Sequence, residues 1–382
     1  MYIYVVEPGD TIYSIAEQFQ VDPAMLAGIN GINNPDLLAV GQAVVVIDSP
    51  LVPETEKLGD ISINGYAYTY IDRDVLRQTL PNLTFISLFT YGFSAEGELV
   101  PLNDDELLDI IEEYETRPLM VISSMSPEGA FSNVLASVML NNEEVQDRLI
   151  DNILINLEQK NYYGLDIDFE YVYPSDRDAF IAFVAKTAGR LNAQGYPVFT
   201  ALAPKTRADQ PGLLYEAHDY YAIGRVSNYV LLMTYEWGYT YGPPMAVAPI
   251  DKVRQVLDYA VTEIPPEKIY MGIPNYGYDW TLPFVRGESR ARSLGNVEAV
   301  EQAARYGAVI QFDETAQTPF YYYTDEEGRE HVVWFEDARS IDAKLRLVAE
   351  YGFQGAGYWN IMRYFPQNWV VANQLYNIRK IE

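Results

Sequence analysis

From Ile61 onward, short apolar runs alternate with stretches in which apolar residues recur every three or four positions. Runs of the first kind suit buried strands and stretches of the second suit helices with one inward face. Strands are expected over 61–68, 84–91, 118–124, 163–170, 197–203, 228–235, 268–276 and 355–360. The intervening helices carry start signals. Asn103-x-x-Glu106 precedes Leu107, Leu108, Ile110 and Ile111; Asn141-x-x-Glu144 precedes Val145, Leu149, Ile153 and Leu157; Ser175-x-x-Asp178 precedes Phe180, Ile181 and Val184. Eight strand–helix units in about 320 residues predict an α/β fold, a (β/α)8 TIM barrel over 61–382.

Two segments depart from that rhythm. Between the seventh and eighth strands, residues 281–336 read as a small α+β insertion. It has a helix at Asn296–Tyr306 stopped by Gly307, a strand at Val309–Phe312, and a hairpin pairing Phe320–Thr324 with Glu330–Phe335. Ahead of the barrel, residues 1–48 read strand, helix, helix, strand: Tyr2–Val6 alternates, Asp10 or Thr11 caps a helix with Ile12, Ile15 and Ala16 inward, Asp22-Pro23 opens a second helix, and Ala43–Ile47 closes the unit. Residues 49–60, with two prolines and several charges, read as a flexible linker between separately folding units.

The chemistry concentrates in Gly164-Leu165-Asp166-Ile167-Asp168-Phe169-Glu170. Side chains alternate along a strand, so the three acids share one face and the apolar residues the other. Carboxylates about 7 Å apart along a strand repel, and crowding drives their pKa values apart. That suits proton transfer, in which one acid stays protonated near neutral pH. The intervening apolar residues argue against a solvated strand edge. A divalent-cation site built from hard oxygen ligands remains open on this run alone.

Composition narrows the field. Charge is 26 − 54 = −28, which opposes binding to nucleic acid or to an anionic membrane. There is no cysteine, and the two histidines, His218 and His331, leave little for a zinc site or a Ser-His-Asp triad. No metal and no cofactor is expected. The 32 tyrosines suit sugar-binding clefts, in which rings stack on pyranose faces and hydroxyls hydrogen-bond. No 18-residue apolar run suggests a membrane span, and Met1–Val6 lacks the form of a secretory signal.

Other strand ends carry matching equipment: Met233-Thr234-Tyr235-Glu236-Trp237, Gly272-Ile273-Pro274-Asn275-Tyr276-Gly277 and Gly357-Tyr358-Trp359-Asn360. With the strand-4 run, these four ordered motifs make residues 61–382 resemble glycoside hydrolase family 18. Two positions depart from the family pattern: Tyr163 stands in place of an aspartate, and Glu236 in place of another. Residues 1–48 resemble a LysM module through Val6-x-Pro8-Gly9-Asp10-Thr11, Ile15-Ala16, Asn30, Asn34-Pro35 and Gly41-Gln42. Tyr215-Glu216-Ala217-His218-Asp219-Tyr220, Gly242-Pro243-Pro244-Met245, Trp334–Ser340 and Phe365–Trp369 are similar to LysM-bearing spore cortex-lytic N-acetylglucosaminidases.

The resemblance implies a retaining mechanism in which the substrate's own acetamido group is the nucleophile. Glu170 would be the acid, Asp168 would orient the acetamido N–H, Asp166 would modulate Asp168, and Tyr235 would hold the acetamido carbonyl. Trp359 would floor the pocket, with Tyr276, Glu236, Asn275, Met233 and Tyr66 as further sugar contacts. Trp359 and Tyr276 also fit a reading as core aromatics, and Glu236 as a mere support of Tyr235. In the LysM module, Gly9, Asp10, Thr11, Ile12, Pro35 and Leu38 would touch the glycan. Non-proline cis peptides would follow Glu170 and Trp359.

The implied substrate is peptidoglycan of the spore cortex, with cleavage of β-1,4 bonds after N-acetylglucosamine. A chitinase or chitooligosaccharide hydrolase is the alternative enzyme, and a catalytically silent sugar-binding coat protein the alternative outside enzymes. A monomer associated with spore coat, cortex or cell wall is expected. His218 is read as structural, and Asp337 with Ser340 as a helix cap.

Overall fold

The structure, a computed structural model, describes residues 1–126, 129 and 131–381; of the expected barrel segment, Pro127, Glu128, Ala130 and Glu382 lie outside the described residues. Eight parallel strands close on themselves: Asp60–Tyr68, Phe85–Phe93, Arg117–Ser123, Gly164–Asp168, Val198–Leu202, Tyr229–Leu232, Ile269–Pro274 and Gly355–Trp359. Pairing of the first strand with both the second and the eighth completes the ring. These segments are buried on both faces, one toward the barrel interior and one toward the helices, hence their near-continuous apolar runs.

Helix starts differ from expectation by local competition for caps. Of the three helices with start signals, the first runs Asp105–Glu112, and Asp104 rather than Asn103 precedes it. The Asp104 carboxylate is occupied elsewhere, by the hydroxyls of Tyr91 and Tyr162 and the ammonium of Lys160. Asn142, not Asn141, caps Glu143–Gln159; Asn141 instead ends an unanticipated helix at Asn133–Leu140. The next helix begins at Arg177, after a single 3-10 turn at Pro174–Asp176. Asp337 accepts from the backbone N–H groups of Arg339 and Ser340 and caps Ala338–Tyr351, as read.

The insertion is built on a five-stranded antiparallel sheet. Its first strand, Gly277–Thr281, leaves the barrel directly after strand 7, so the sheet begins four residues before 281. The hairpin pairs Thr318–Thr324 with Glu330–Trp334, and the short strand lies at Gln311–Asp313 rather than 309–312.

Residues 1–48 form the two-stranded, two-helix unit, and it is docked. The Gln367 amide donates to Asn30 Oδ1 (2.9 Å) and to the Ala43 carbonyl (2.8 Å). The Ile310 N–H donates to the Val40 carbonyl at 2.9 Å. Gly41, at φ +85°, lies so close to the insertion that a Cβ there would stand 1.9 Å from the Ile310 carbonyl oxygen. Only glycine fits both that φ and that approach.

The segment read as a linker, 49–60, is hydrogen-bonded to its neighbours near both ends. The Ser49 hydroxyl donates to the Phe19 carbonyl, the Leu58 N–H to the Leu375 carbonyl (2.7 Å), and Lys57 Nζ to the Tyr376 carbonyl (2.7 Å). Proline and charge content gave no sign of these backbone-directed bonds.

Candidate active site

Strand 4 delivers Asp166 and Asp168 into the barrel mouth, both buried. Glu170 sits two residues past the strand end, half-buried. The Tyr66 hydroxyl (2.6 Å) and the Ser87 hydroxyl (3.0 Å) both donate to Asp166 Oδ2, and Asn64 Nδ2 in turn donates to Ser87 (2.9 Å). Asp166 Oδ1 and Asp168 Oδ1 have no partner among the described residues.

Burial pushes the Asp166 carboxyl up to about 6, against the pull of Tyr66 and Ser87 toward the charged form. Asp168 is raised well above the carboxylate range, by burial first and then by Glu170 and Asp166. Glu170 is raised by burial and by the charge of Glu236. These carboxyls are thus inclined to hold protons at a pH where free carboxyls have lost them.

Strand 6 continues into Met233, Tyr235 and Glu236, which line the same cleft. Gly272 on strand 7 makes room for Tyr235: a Cβ there would lie 2.7 Å from its ring. The Tyr235 hydroxyl has no hydrogen-bond partner among the described residues and stays protonated, its pKa raised by burial and by the neighbouring carboxylates. Glu236 has φ +67°, a costly conformation for a residue with a Cβ. Its carboxylate accepts from the hydroxyls of Tyr276 and Tyr278. Burial raises its pKa, opposed by those two hydroxyls. Trp359 lines the cleft from strand 8, its ring braced by Phe89 (centroids 5.0 Å), Tyr66 (5.8 Å) and Tyr68 (5.9 Å).

The cleft encloses about 490 Å³. Of the residues expected to meet substrate there, Glu170, Asp168, Tyr235, Trp359, Glu236, Met233 and Tyr66 line it, and Asp166 stands behind Asp168. Two expected contacts are corrected. The Asn275 amide donates to the carbonyls of Asn360 (3.0 Å) and Arg363 (2.9 Å), so it fixes the loop carrying Trp359. Tyr276 spends its hydroxyl on Glu236. Lining residues that sequence reading missed include Tyr171, Leu214, Tyr215 and Tyr239. Tyr171 was signalled by its place just past strand 4 and Tyr215 by the motif that contains it, while Leu214 and Tyr239 lie in long loops with no local signal.

Of the expected non-proline cis peptides, the one after Trp359 is present; the other follows Phe89, not Glu170.

His218 is buried behind the site. Its Nδ1 accepts from the Ala203 N–H (2.8 Å), which leaves Nε2–H to donate to the Phe169 carbonyl (3.0 Å). Burial lowers its pKa to about 4, and this neutral ring pins the residue before Glu170.

The LysM-like loop is mixed. Gly9 and Thr11 are exposed and Pro35 and Leu38 half-buried. Asp10 is committed to the Tyr4 hydroxyl and the Glu7 N–H, both at 2.7 Å. Ile12, expected at the glycan, has its side chain in the module's core at 1% exposure. Among the described residues no group of His, Asp and Glu is arranged to hold a metal ion, and no helix is long and apolar enough to cross a membrane.

What this arrangement can do is donate a proton from Glu170 beside a grip for a group having both N–H and C=O. Comparisons with known proteins agree with it. The model of the glycosyl hydrolases family 18 matches residues 107–363, and that of the LysM domain matches residues 4–46. The chain is similar to the cortical fragment-lytic enzyme of Bacillus subtilis (strain 168), at 41% identity with 100% of this chain and 99% of the relative covered. Among solved structures it is similar to the spore cortex-lytic enzyme SleL of Bacillus megaterium QM B1551, with TM-score 0.93, 38% identity and coverage of 100% and 99%. A chitinase from Chromobacterium violaceum shares the fold (TM-score 0.77, 24% identity, coverage 82% and 98%). The chain belongs to the glycosyl hydrolases family 18, a glycoside hydrolase with a LysM domain at its N-terminal side.

Proposed function

We propose that this glycosidase cleaves β-1,4 bonds after N-acetylglucosamine in spore-cortex peptidoglycan, by a substrate-assisted retaining mechanism. The observation that carries the reading is the pairing, in one cleft, of a raised-pKa Glu170 with an unsatisfied Asp168 oxygen and a free Tyr235 hydroxyl. The full-length likeness to cortical fragment-lytic enzymes supports the choice of polymer.

Glu170 gives its proton to the glycosidic oxygen as the bond to C1 breaks, while the acetamido oxygen attacks C1 and closes an oxazolinium ring. Asp168 accepts the acetamido N–H and stabilises the positive ring; Tyr235 donates to the acetamido oxygen and holds it in line. Water then attacks C1, giving its proton to the Glu170 carboxylate, and the ring reopens with net retention. Asp166, held by Tyr66 and Ser87, modulates the charge of Asp168. Trp359 underlies the sugar. The LysM unit holds the enzyme on the wall polymer, so the protein works at the spore cortex or cell wall, as a single chain whose cleft comes from one barrel.

The test is the acetamido requirement. An N-acetylglucosaminide should be hydrolysed and the matching glucoside spared, because a site built to bond an amide rejects a substrate lacking it. A thiazoline mimic of the ring intermediate should inhibit, and digestion of cortex peptidoglycan should leave reducing-end N-acetylglucosamine by mass spectrometry. Equal turnover of the two glycosides would refute the mechanism, and muramic reducing ends would refute the bond assignment.

A further inference from the structure

Between residues 281 and 336 the insertion carries five arginines and no lysine. Four of them, Arg290, Arg292, Arg305 and Arg329, line one groove of about 360 Å³. A neighbouring depression shares Arg290 and Arg292 as walls and is completed by Thr240, from the loop after strand 6. Such a lining stands out in a chain of net charge −28.

The groove adjoins the catalytic cleft. Tyr239 lines the cleft, and Thr240, next along the chain, lines the depression and accepts the Ala291 N–H at 2.7 Å. The rings of Tyr239 and Tyr241 meet at 6.5 Å between centroids, and the Arg290 guanidinium lies 5.8 Å from the Tyr241 centroid.

The four arginines differ in what holds them. Arg292 is bound by Glu298 (2.5 Å) and stands 3.6 Å from Asp279; Arg329 is bound by Asp325 (2.7 Å) and Glu327 (3.0 Å). Asp279 is buried and already accepts from the Tyr323 hydroxyl (2.8 Å), the Gln302 amide (3.0 Å) and His331 Nδ1 (2.8 Å). These acids balance two arginines and leave two over. Arg290 and Arg305, both exposed, form no ion pair among the described residues; Arg290 rests on the Tyr241 ring. A guanidinium without an anion is suited to a carboxylate, which it can grip through two parallel N–H bonds.

We propose that this groove holds the carboxylates of the peptide borne by a muramic residue of the substrate, with Arg290 and Arg305 as their partners. This rests on the reading of the substrate as peptidoglycan. A lactyl carboxyl lies close to its own sugar ring, whereas a tripeptide extends up to about 10 Å, at roughly 3.3–3.6 Å per residue. From a sugar beside Tyr239, it is therefore the peptide that passes Tyr241 and reaches Arg290. The groove thus separates peptidoglycan from chitin, whose sugars carry no carboxylate, and does so away from the bond that breaks.

The experiment uses the full chain and three tetrasaccharides of alternating N-acetylglucosamine and muramic residues. One has tripeptides with free carboxylates, one has them methyl-esterified, and one is stripped of peptide so that only lactyl carboxylates remain. Wild-type kcat/KM should be about fivefold higher on the first than on either other, the scale of two exposed ion pairs. The difference should lie in KM and shrink with added salt. Arg290→Gln combined with Arg305→Gln should abolish the preference. Arg305→Gln alone, which leaves the Arg290–Tyr241 contact in place, should reduce it. Each preference is a ratio within one variant, so a general loss of activity does not enter it. Equal wild-type kcat/KM on free and esterified peptides overturns the groove's role and leaves the peptidoglycan reading standing. A preference that survives the double substitution overturns the assignment to these arginines. A stripped tetrasaccharide as good as the free-peptide one puts the lactyl carboxylate in the groove and overturns the peptide assignment. No cleavage of any tetrasaccharide, with an N-acetylglucosaminide still hydrolysed, overturns the peptidoglycan reading and the groove's role with it.

Discussion

The floor of the catalytic cleft and the seam between LysM unit and barrel are both made of buried polar side chains, handled in opposite ways. At the seam, Gln367 and Asn30 are saturated with hydrogen bonds, so their burial orients two units at little cost. On the cleft floor, Asp166 and Asp168 each keep an oxygen with no partner, and three carboxyls crowd one strand end. A buried polar group left unmet costs about 1–3 kcal/mol. The seam converts polarity into geometry; the cleft keeps it as unspent capacity for a substrate and is less stable for it.

The largest expected effect tests the cleft's half of that contrast. Glu170→Gln keeps the shape and removes the proton, so kcat on an N-acetylglucosaminide should fall by about 10²–10⁴-fold, the usual contribution of general acid catalysis. Circular dichroism should be unchanged. Near-wild-type turnover would remove Glu170 from the acid's role.

Asp166→Asn asks whether burial of this carboxyl is paid in stability. The folded pKa of Asp166 is about 6, above the ordinary carboxyl value. A raised acid favours the folded state fully below its unfolded pKa, and that contribution is lost as pH rises through the folded value. At pH 7 the charged Asp166 therefore destabilises the fold by about 3 kcal/mol, at roughly 1.4 kcal/mol per pKa unit. The neutral amide should raise stability at pH 7 and leave it nearly unchanged at pH 4, measured by denaturant unfolding at both. A loss of stability at pH 7 would contradict it.

The seam is tested by removing residues 1–48. Ala43 and Val45 belong to the barrel's own core cluster and Ala39 to that of the insertion. Their removal exposes apolar surface and strands Gln367, so the truncated barrel should melt about 5 °C or more below the full chain. An unchanged melting temperature would mean the seam orients without stabilising.

The two regions also differ in how far the chain's own letters disclose them. The cleft floor announces itself because alternation of acid and apolar residues at 164–170 has a period of two, and a strand can place those acids only on one face. The eight strands are likewise visible as apolar runs. Asn275 and Tyr276 misled, because a motif at a strand end says which residues are near the site and not which way the chain turns. Here it turns at once into the insertion's first strand, and their polar atoms go to Asn360 and Glu236. The seam was invisible for a different reason. It is made of backbone carbonyls at Val40, Gly41 and Ala43 meeting residues about 270 to 325 positions away, and no local pattern encodes such partners.

The smallest effect refines the cleft from its edge. Glu236 is the charge that, after burial, raises Glu170, and its own carboxylate is tied to Tyr276 and Tyr278 in a left-handed backbone conformation. Glu236→Gln removes the charge while keeping an acceptor for both hydroxyls. With less repulsion, Glu170 gives up its proton at lower pH, so the alkaline limb of the kcat/KM profile should move to lower pH and the acid limb should move less. The maximum rate should change little, because Glu170 is still present and still protonated at mildly acidic pH. Glu236→Gly relieves the backbone as well as the charge. If strain at this residue matters to the cleft, the two variants will share the shifted limb and differ in KM. Coincident pH profiles for wild type and Glu236→Gln would show instead that the Tyr276 and Tyr278 hydroxyls already neutralise this carboxylate, and that burial alone sets the acid.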